Sequence, residues 1–494
     1  MIHLPTADIV VLAAYLLLVT GFGVALARRQ VDSRAYFLGN RNIPWWAVCL
    51  SVVATETSVL TFIGVPALSY EGDLRFLQLT AGYLAARILL AVFFLPAFLE
   101  QDTYTVYGFL TRRFGPRARS YAAGLFFATQ ILGSGVRLYA AALVLAAVLE
   151  VNSIATAIVL IAGVTILYTW AGGISAVIWT DCLQAVIMIG GGVLALWLLA
   201  GMFPQGLSGV LAVAATEGKL RLWDFTPSLT SNYTFWSGLV GGTFLGMASH
   251  GTDQVLAQRL LTSRSLADGR KAIVGSALII IPQFLLFLLI GVLLHYYYLA
   301  NPPAVPFEKA DQIFPHFIVH RFPPVAAGLV VAAMFGAAMS TLDSGIQALS
   351  VSTVMDVVRP LSRSRRPESG YLGLSRVLVV FWGAVLVVVA LFAEGWGPVL
   401  ETGLTVASYT YGPLLGLFLL GFFTRVSASR AVTTAVAAGL AGIVLVVRLT
   451  GLAFTWYVFT GALITVATGL AVQRLGAGRS APPPGQARGE EPAK

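Results

Sequence analysis

Ser340, Thr341, Asp343 and Ser344 interrupt an apolar run with four oxygen-bearing side chains, in FGAAMSTLDSGIQALS, residues 335–350. At about 100° per residue, Ala337, Ser340, Thr341 and Ser344 share one face of a helix, and Asp343 flanks that face on the Ser340 side. Hydroxyl, carbonyl and carboxylate oxygens suit a hard cation such as sodium, and no Cys/His cluster for a transition metal accompanies them. The structural alternative is that the hydroxyls bond back to carbonyls four residues earlier or fasten two helices together. A carboxylate at the centre of a bilayer costs about 2.5–3.5 kcal/mol on the insertion scale, so Asp343 needs a partner or a cation to offset it.

A second polar island is SVVATETSVLTFIG, residues 51–64. Thr55, Glu56, Thr57, Ser58 and Thr61 break its hydrophobic pattern, and Gly64 and Pro66 weaken the helix further. A broken membrane helix frees carbonyls for a cation and turns half-helix dipole ends toward a solute. A matching Gly-rich interruption is GLVGGTFLGMASHG, residues 238–251. The two interrupted segments open two blocks of five spans, roughly 44–203 and 232–422, which predicts an inverted repeat with midplane sites.

The elements that position these residues are membrane helices. The chain has 494 residues, 57% hydrophobic and 11% charged, with mean hydropathy +0.83. Soluble domains carry about 25% charged residues. A membrane helix needs about 20 apolar residues, and that length predicts about thirteen spans. They centre in 7–27, 44–70, 76–99, 120–149, 153–171, 176–203, 232–256, 272–299, 323–355, 372–393, 396–422, 431–448 and 453–473. The leading MIHLPTAD carries no positive charge, and Arg28 and Arg29 follow the first run. That order predicts an uncleaved helix with its N-terminus outside rather than a secretion signal. Alternating from there puts Arg34, Arg41, Arg112, Arg113, Arg117, Arg119, Arg259, Arg264, Arg270, Arg359, Arg363, Arg365 and Arg366 inside, with the C-terminus cytoplasmic. This is the positive-inside asymmetry of a cell-membrane protein. It accounts for the +9 net charge without nucleic acid. Cys49 and Cys182 fall in apolar segments and imply no disulfide framework. The Pro/Gly-rich end, residues 476–494, reads as a disordered tail.

Charges inside the spans are functional candidates by default: Glu56, Arg87, Arg137, Asp181, Asp253 and Asp343, with Glu401 near a helix end. Structural ion pairs between helices are the alternative for each, and that is the reading given to Arg87.

With these residues in view, the chain resembles the sodium:solute symporter family of sodium/glucose, sodium/proline and sodium/sialic acid transporters. The resemblance runs from about Tyr36 to Phe423 and rests on six stretches in order. They are YFLGNRNIPWW (36–46), SVLTFIGVPALSY (58–70), YTWAGGISAVIWTDCLQ (168–184), GTDQVLAQRLLTSRS (251–265), AAMSTLDSGIQALS (337–350) and YGPLLGLFLLGFF (411–423). The resemblance implies an all-α polytopic membrane fold, a LeuT-like five-plus-five inverted repeat with one extra N-terminal helix and two C-terminal ones. The expected division is an N-terminal helix in 1–30, a first repeat in 36–203 and an extracellular loop in 204–231. A second repeat follows in 232–423, two helices in 424–475 and the tail in 476–494.

The resemblance also implies sites. The main sodium site takes backbone oxygens of Ala54, Thr57 and Ala337 and the hydroxyls of Ser340 and Thr341. A second, inner sodium site takes Asp181 with Ser340, Asp343 and Ser344; Asp343 departs from a hydroxyl at that position. The substrate region takes Glu56, Ser58, Thr61, Gln78, Ser249 and His250. Arg137 stands where the sialic acid transporter holds a carboxylate, a task suited to a planar guanidinium. Its structural alternative is a permanent pair with Glu56 or Glu150.

The expectation is a sodium-coupled symporter, with one or two sodium ions, for a small polar solute bearing a carboxylate, or for a zwitterion. A neutral-sugar symporter, a proton-coupled transporter using Glu56 or Asp343, and a transport-like sensor are the rivals. An enzyme is not expected, because no nucleophile–base spacing or metal motif is present.

Overall fold

The computed structural model describes residues 5–27, 33–100, 104–149, 153–303, 306–362, 368–393, 396 and 399–477. Arg28, Arg29, Glu150, Arg363, Arg365, Arg366, the side chain of Glu401 and the tail beyond residue 477 lie outside what is described.

Helix α1 (Thr6–Ala27) precedes a helix broken in its middle, α2 (Trp45–Glu56) and α3 (Val59–Glu71), bent by 59°. The break has a local cause. The Ser58 amide turns to the Glu56 carbonyl at 3.1 Å instead of reaching back to Ala54. The Ser58 hydroxyl then caps the new helix by accepting from the Leu60 amide at 3.2 Å, as a preferred N-cap residue does. The Ala54 carbonyl is left without the amide that a continuous helix would give it.

Helix α4 (Leu79–Leu89) runs on through a π-turn to Leu99, followed by α5 (Pro116–Leu149). Helix α6 (Ile154–Ala200) turns sharply at Gly173, whose φ of 59° favours glycine. A side chain there would also strike the ring and carbonyl of Tyr36 at 2.8 and 2.9 Å. The two limbs of α6 fall where spans are expected at 153–171 and 176–203, and of the two only Gly173–Ala200 is long and apolar enough to cross a membrane.

A second break separates α7 (Gly242–Gly251) from α8 (Gln254–Leu261), and the Asp253 carboxylate caps α8 by accepting from the Val255 amide at 2.8 Å. Helices α9 (Leu266–Ala300), α10 (Ala326–Ser352), α11 (Glu368–Phe392), α12 (Val399–Phe423), α13 (Ser429–Leu449) and α14 (Tyr457–Ala477) complete the bundle. The first broken helix leans on α9, α10 lies along both α6 and α1, and α12 to α14 pack on one another at the edge. Helix α4 and the turn before α7 meet through glycine: a Cβ on Gly82 would collide with the Gly238 carbonyl.

Among the described residues ten helices are long and apolar enough to cross a membrane, or eleven with the α2–α3 pair taken as one bent span. The expected thirteen is not reached on that measure. The apolar limb Ile154–Leu167 is short, and the segment expected at 232–256 is interrupted at Thr252–Asp253.

Several arginines expected in cytoplasmic loops cap helix ends with their guanidinium groups. Arg41 donates to the Leu99 carbonyl at 3.3 Å, and Arg113 to those of Gly421 and Thr424 at 3.2 and 2.6 Å. Arg259 differs: it lies on α8, 1% exposed, and is no loop residue. At the other end, α1 caps α10. Buried Asp8 accepts from the amides of Val325 and Gly328 at 2.6 and 2.8 Å.

That cap predicts a stability effect. Asp8→Ala should cost about 0.5–2 kcal/mol, read as a lower thermal-unfolding midpoint in detergent, with a smaller loss for Asp8→Asn. An unchanged midpoint in Asp8→Ala would count against the cap.

Candidate functional site: a charged cavity beside two oxygen-rich groups

Both helix breaks open onto one cavity of about 140 Å³. The α2–α3 break contributes Glu56, Ser58 and Thr61, and the α7–α8 break contributes Ser249, His250 and Asp253. Arg137 of α5, Thr341 of α10 and Tyr411 of α12 close it. Six of the seven residues expected around a substrate are therefore brought together. Gln78 is not among them. Its amide group is spent on a loop, accepting from the Asp224 amide at 3.0 Å and donating to the carbonyls of Arg75 and Tyr233 at 3.2 Å each.

The charges sort into three groups. In the first, fully buried Arg87 pairs with Glu56, and His250 lies against both, its Nε2 3.0 Å from Arg87 and 3.5 Å from Glu56. Ser249 hydrogen-bonds the other ring nitrogen of His250 at 2.8 Å. Glu56 is thus matched by Arg87, and the pairing of Arg137 with Glu56 weighed from the sequence is not formed. In the second, Asp253 accepts from the Tyr411 hydroxyl at 2.7 Å while capping α8. The third is Arg137 itself. It lines the cavity and has no ion pair or hydrogen bond among the described residues.

The group expected to hold the main sodium ion lies next to the cavity, buried throughout. Ala54 and Thr57 come from the break, where the Ala54 carbonyl has lost its helical partner. Ala337, Ser340 and Thr341 come from α10, which packs against both halves of the broken helix. The Thr341 hydroxyl lies 3.0 Å from the Ala337 carbonyl. The Thr57 hydroxyl is engaged by Val53 and Gln283, which leaves its carbonyl as the candidate ligand. Among the described residues no three His, Cys, Asp or Glu side chains gather into a group suited to a transition metal.

The inner group departs from expectation. Asp181 is fully buried, and Ser340 donates to one of its oxygens at 2.5 Å. Its other oxygen accepts from Ser51 at 2.5 Å and from Arg259 at 2.9 Å. Arg259 also donates to Ser51 at 2.8 Å and contacts the Ser344 hydroxyl. Ser344 lies 2.8 Å from Asp343. The residues assigned to a second sodium ion thus do assemble, but around a guanidinium. Sequence reasoning missed Arg259 by ending the span at residue 256. The available signal was the run VLAQRLL after a helix-capping Asp253, which extends an apolar helix past the arginine.

The Arg87–Glu56 pair predicts a charge-reversal of fortune between single and double variants. Arg87→Met leaves a buried carboxylate uncompensated at about 3–5 kcal/mol and should collapse the folded yield, which Arg87→Met with Glu56→Met should recover. Recovery of Arg137→Ala by Glu56→Ala would instead reinstate the Arg137 pairing.

Residues 36–442 match the sodium:solute symporter family profile. The sodium/iodide cotransporter of Homo sapiens is 31% identical over 88% of this chain and 68% of its own length. Sodium-coupled monocarboxylate transporter 1 of Mus musculus is 29% identical over 88% of this chain and 72% of its own. The solved structure of a sodium-coupled sialic acid symporter, substrate-bound and outward-open, superposes with a TM-score of 0.87 at 27% identity, covering 95% of this chain and 98% of that one. The profile spans most of the chain and both helix breaks, so this multi-pass membrane protein belongs to the sodium:solute symporter family, a family of sodium-coupled transporters and not of enzymes.

Proposed function

We propose that the protein imports a small monocarboxylate together with sodium, by alternating access, across the cell membrane. The observation that carries this reading is Arg137, a guanidinium at the cavity that makes no hydrogen bond or ion pair among the described residues, with Asp253 across the same cavity the nearby carboxylate. A carboxylate meets such a fork with two parallel hydrogen bonds. Glu56 has its countercharge in Arg87, which removes the main reason to expect a zwitterion. The similar proteins are named for iodide, monocarboxylates and sialic acid, all anionic at neutral pH.

Sodium enters the reading through five oxygens: the carbonyls of Ala54, Thr57 and Ala337 and the hydroxyls of Ser340 and Thr341. The first two belong to the broken helix and the others to α10, so a bound ion joins two elements that must move together or apart. Thr341 also lines the cavity, which puts the ion's neighbourhood within reach of the solute. A tenfold sodium gradient supplies about 1.4 kcal/mol per ion. The arginine-rich loop ends are read as cytoplasmic, with the N-terminus outside.

Two outcomes test this. Purified protein in proteoliposomes should take up one of a panel of short monocarboxylates and reject the corresponding amide. Arg137→Lys should fail nearly as badly as Arg137→Ala, because an ammonium is a point charge. Losing one partner of a buried charged pair costs about 2–5 kcal/mol, or roughly 30- to several-thousand-fold in affinity. Equal uptake of acid and amide, or unaltered discrimination in Arg137→Ala, would turn the reading toward an uncharged solute. Separately, Ser340→Ala with Thr341→Ala removes two of the five oxygens. Uptake should then lose its sodium dependence while folded protein persists; an unchanged sodium dependence would remove these residues from the site.

A further inference from the structure

Arg259 is buried between four helices and uses every arm of its guanidinium. Its Nε donates to Ser51 of α2 at 2.8 Å and its Nη1 to the Val255 carbonyl of its own helix at 2.7 Å. Its Nη2 reaches Asp181 of α6 at 2.9 Å and Ser344 of α10. Asp181 in turn has both oxygens engaged, one by Ser340 and the other by Ser51 and Arg259. A second cation at Asp181 would need the same carboxylate oxygen and the same Ser344 hydroxyl that the guanidinium now holds.

The direction of one hydrogen bond matters most. Ser340 donates its proton to Asp181, whose other oxygen accepts from Arg259. The lone pairs of Ser340 are then turned away from Asp181 and left for the sodium ion that Thr341, Ala337 and the α2–α3 break would share. An ionised acceptor behind a ligating hydroxyl both orients it and raises its basicity, as outer partners of metal ligands do.

We propose that Arg259 is a tethered cation standing in the place of a second sodium ion, and that through Asp181 it positions Ser340 as a ligand of the main one. The protein therefore binds one sodium ion per chain. With a monocarboxylate as solute, one sodium per cycle makes transport electroneutral, driven by the sodium gradient and indifferent to membrane potential. This rests on the sodium reading of Ser340 and Thr341 given above.

The test is equilibrium binding of ²²Na⁺ to full-length protein in nanodiscs, counted per chain. Wild type should bind one ion. Arg259→Gln frees the carboxylate and should bind two. Arg259→Gln with Asp181→Asn keeps hydrogen-bonding groups and removes both charges. It should bind one ion about 10- to 100-fold more weakly. Arg259→Lys retains the charge without the fork and should stay at one ion, with intermediate affinity. Two ions bound to wild type, or an Arg259→Gln count of one at wild-type affinity, overturns the proposal. If Arg259→Gln does not fold, the wild-type count and the double variant still decide it. Sodium binding that survives Ser340→Ala with Thr341→Ala would defeat the site itself. Its loss there, with wild-type affinity in the Arg259/Asp181 double variant, would defeat only the role of Arg259.

Discussion

Charge inside this bundle must be met by charge or oxygen from the chain itself, and the interior follows from that constraint. Asp181 and Arg87 are fully buried and Arg259 is 1% exposed. Each is joined to a group on another helix, Arg87 to Glu56 of α2 and Asp181 to Arg259 of α8. Removing a charge from water costs several kcal/mol, so an unmatched one would oppose folding. Arg137 makes no ion pair or hydrogen bond among the described residues, although Asp253 of the same cavity is within its electrostatic reach, and a cation so placed at a cavity is where a ligand is expected to complete the pairing.

The helix breaks serve the same constraint for the backbone. Within hydrocarbon, a carbonyl or amide without a partner is nearly as costly as a charge, so irregular backbone persists only where it is buried in protein or lines a cavity. Ser58 and Asp253 each cap the helix that resumes after a break, settling the amides. The Ala54 carbonyl is left without its helical amide, and under the proposed function it serves as a sodium ligand. The same broken helix lines the cavity through Glu56, Ser58 and Thr61 and carries Ala54 and Thr57, the residues proposed for sodium.

Much of this was legible along the chain. The polar islands at 51–64 and 337–350 both reach the cavity, through Glu56, Ser58, Thr61 and Thr341; hydroxyls and a carboxylate in an apolar run have few other reasons to be there. The Gly-rich stretch at 238–251 lies beside the second break and does not contain it: Gly242–Gly251 is helical and the break falls at Thr252–Asp253. What the chain could not show was pairing across distance. Glu56 and Arg87 lie 31 positions apart, and nothing local says that they meet rather than Glu56 and Arg137. Gln78 looked like a cavity residue but serves the 224–233 loop, a contact set by tertiary structure alone. Arg259 was hidden by a boundary. A span ended a few residues early turns a buried cation into an ordinary loop arginine. The expected thirteen spans rested on length, which an interrupted helix does not satisfy.

The central claim is that sodium and an anionic solute stabilise one another's binding at adjoining sites. Linkage requires the coupling to be reciprocal: the factor by which sodium tightens the solute equals that by which the solute tightens sodium. The direct measurement is the affinity of the purified protein for its transported monocarboxylate at rising sodium, with choline holding ionic strength constant, alongside sodium affinity at rising monocarboxylate. The account predicts tightening in both titrations by the same factor, absent in Ser340→Ala with Thr341→Ala. Solute affinity that is the same in sodium and in choline would contradict it.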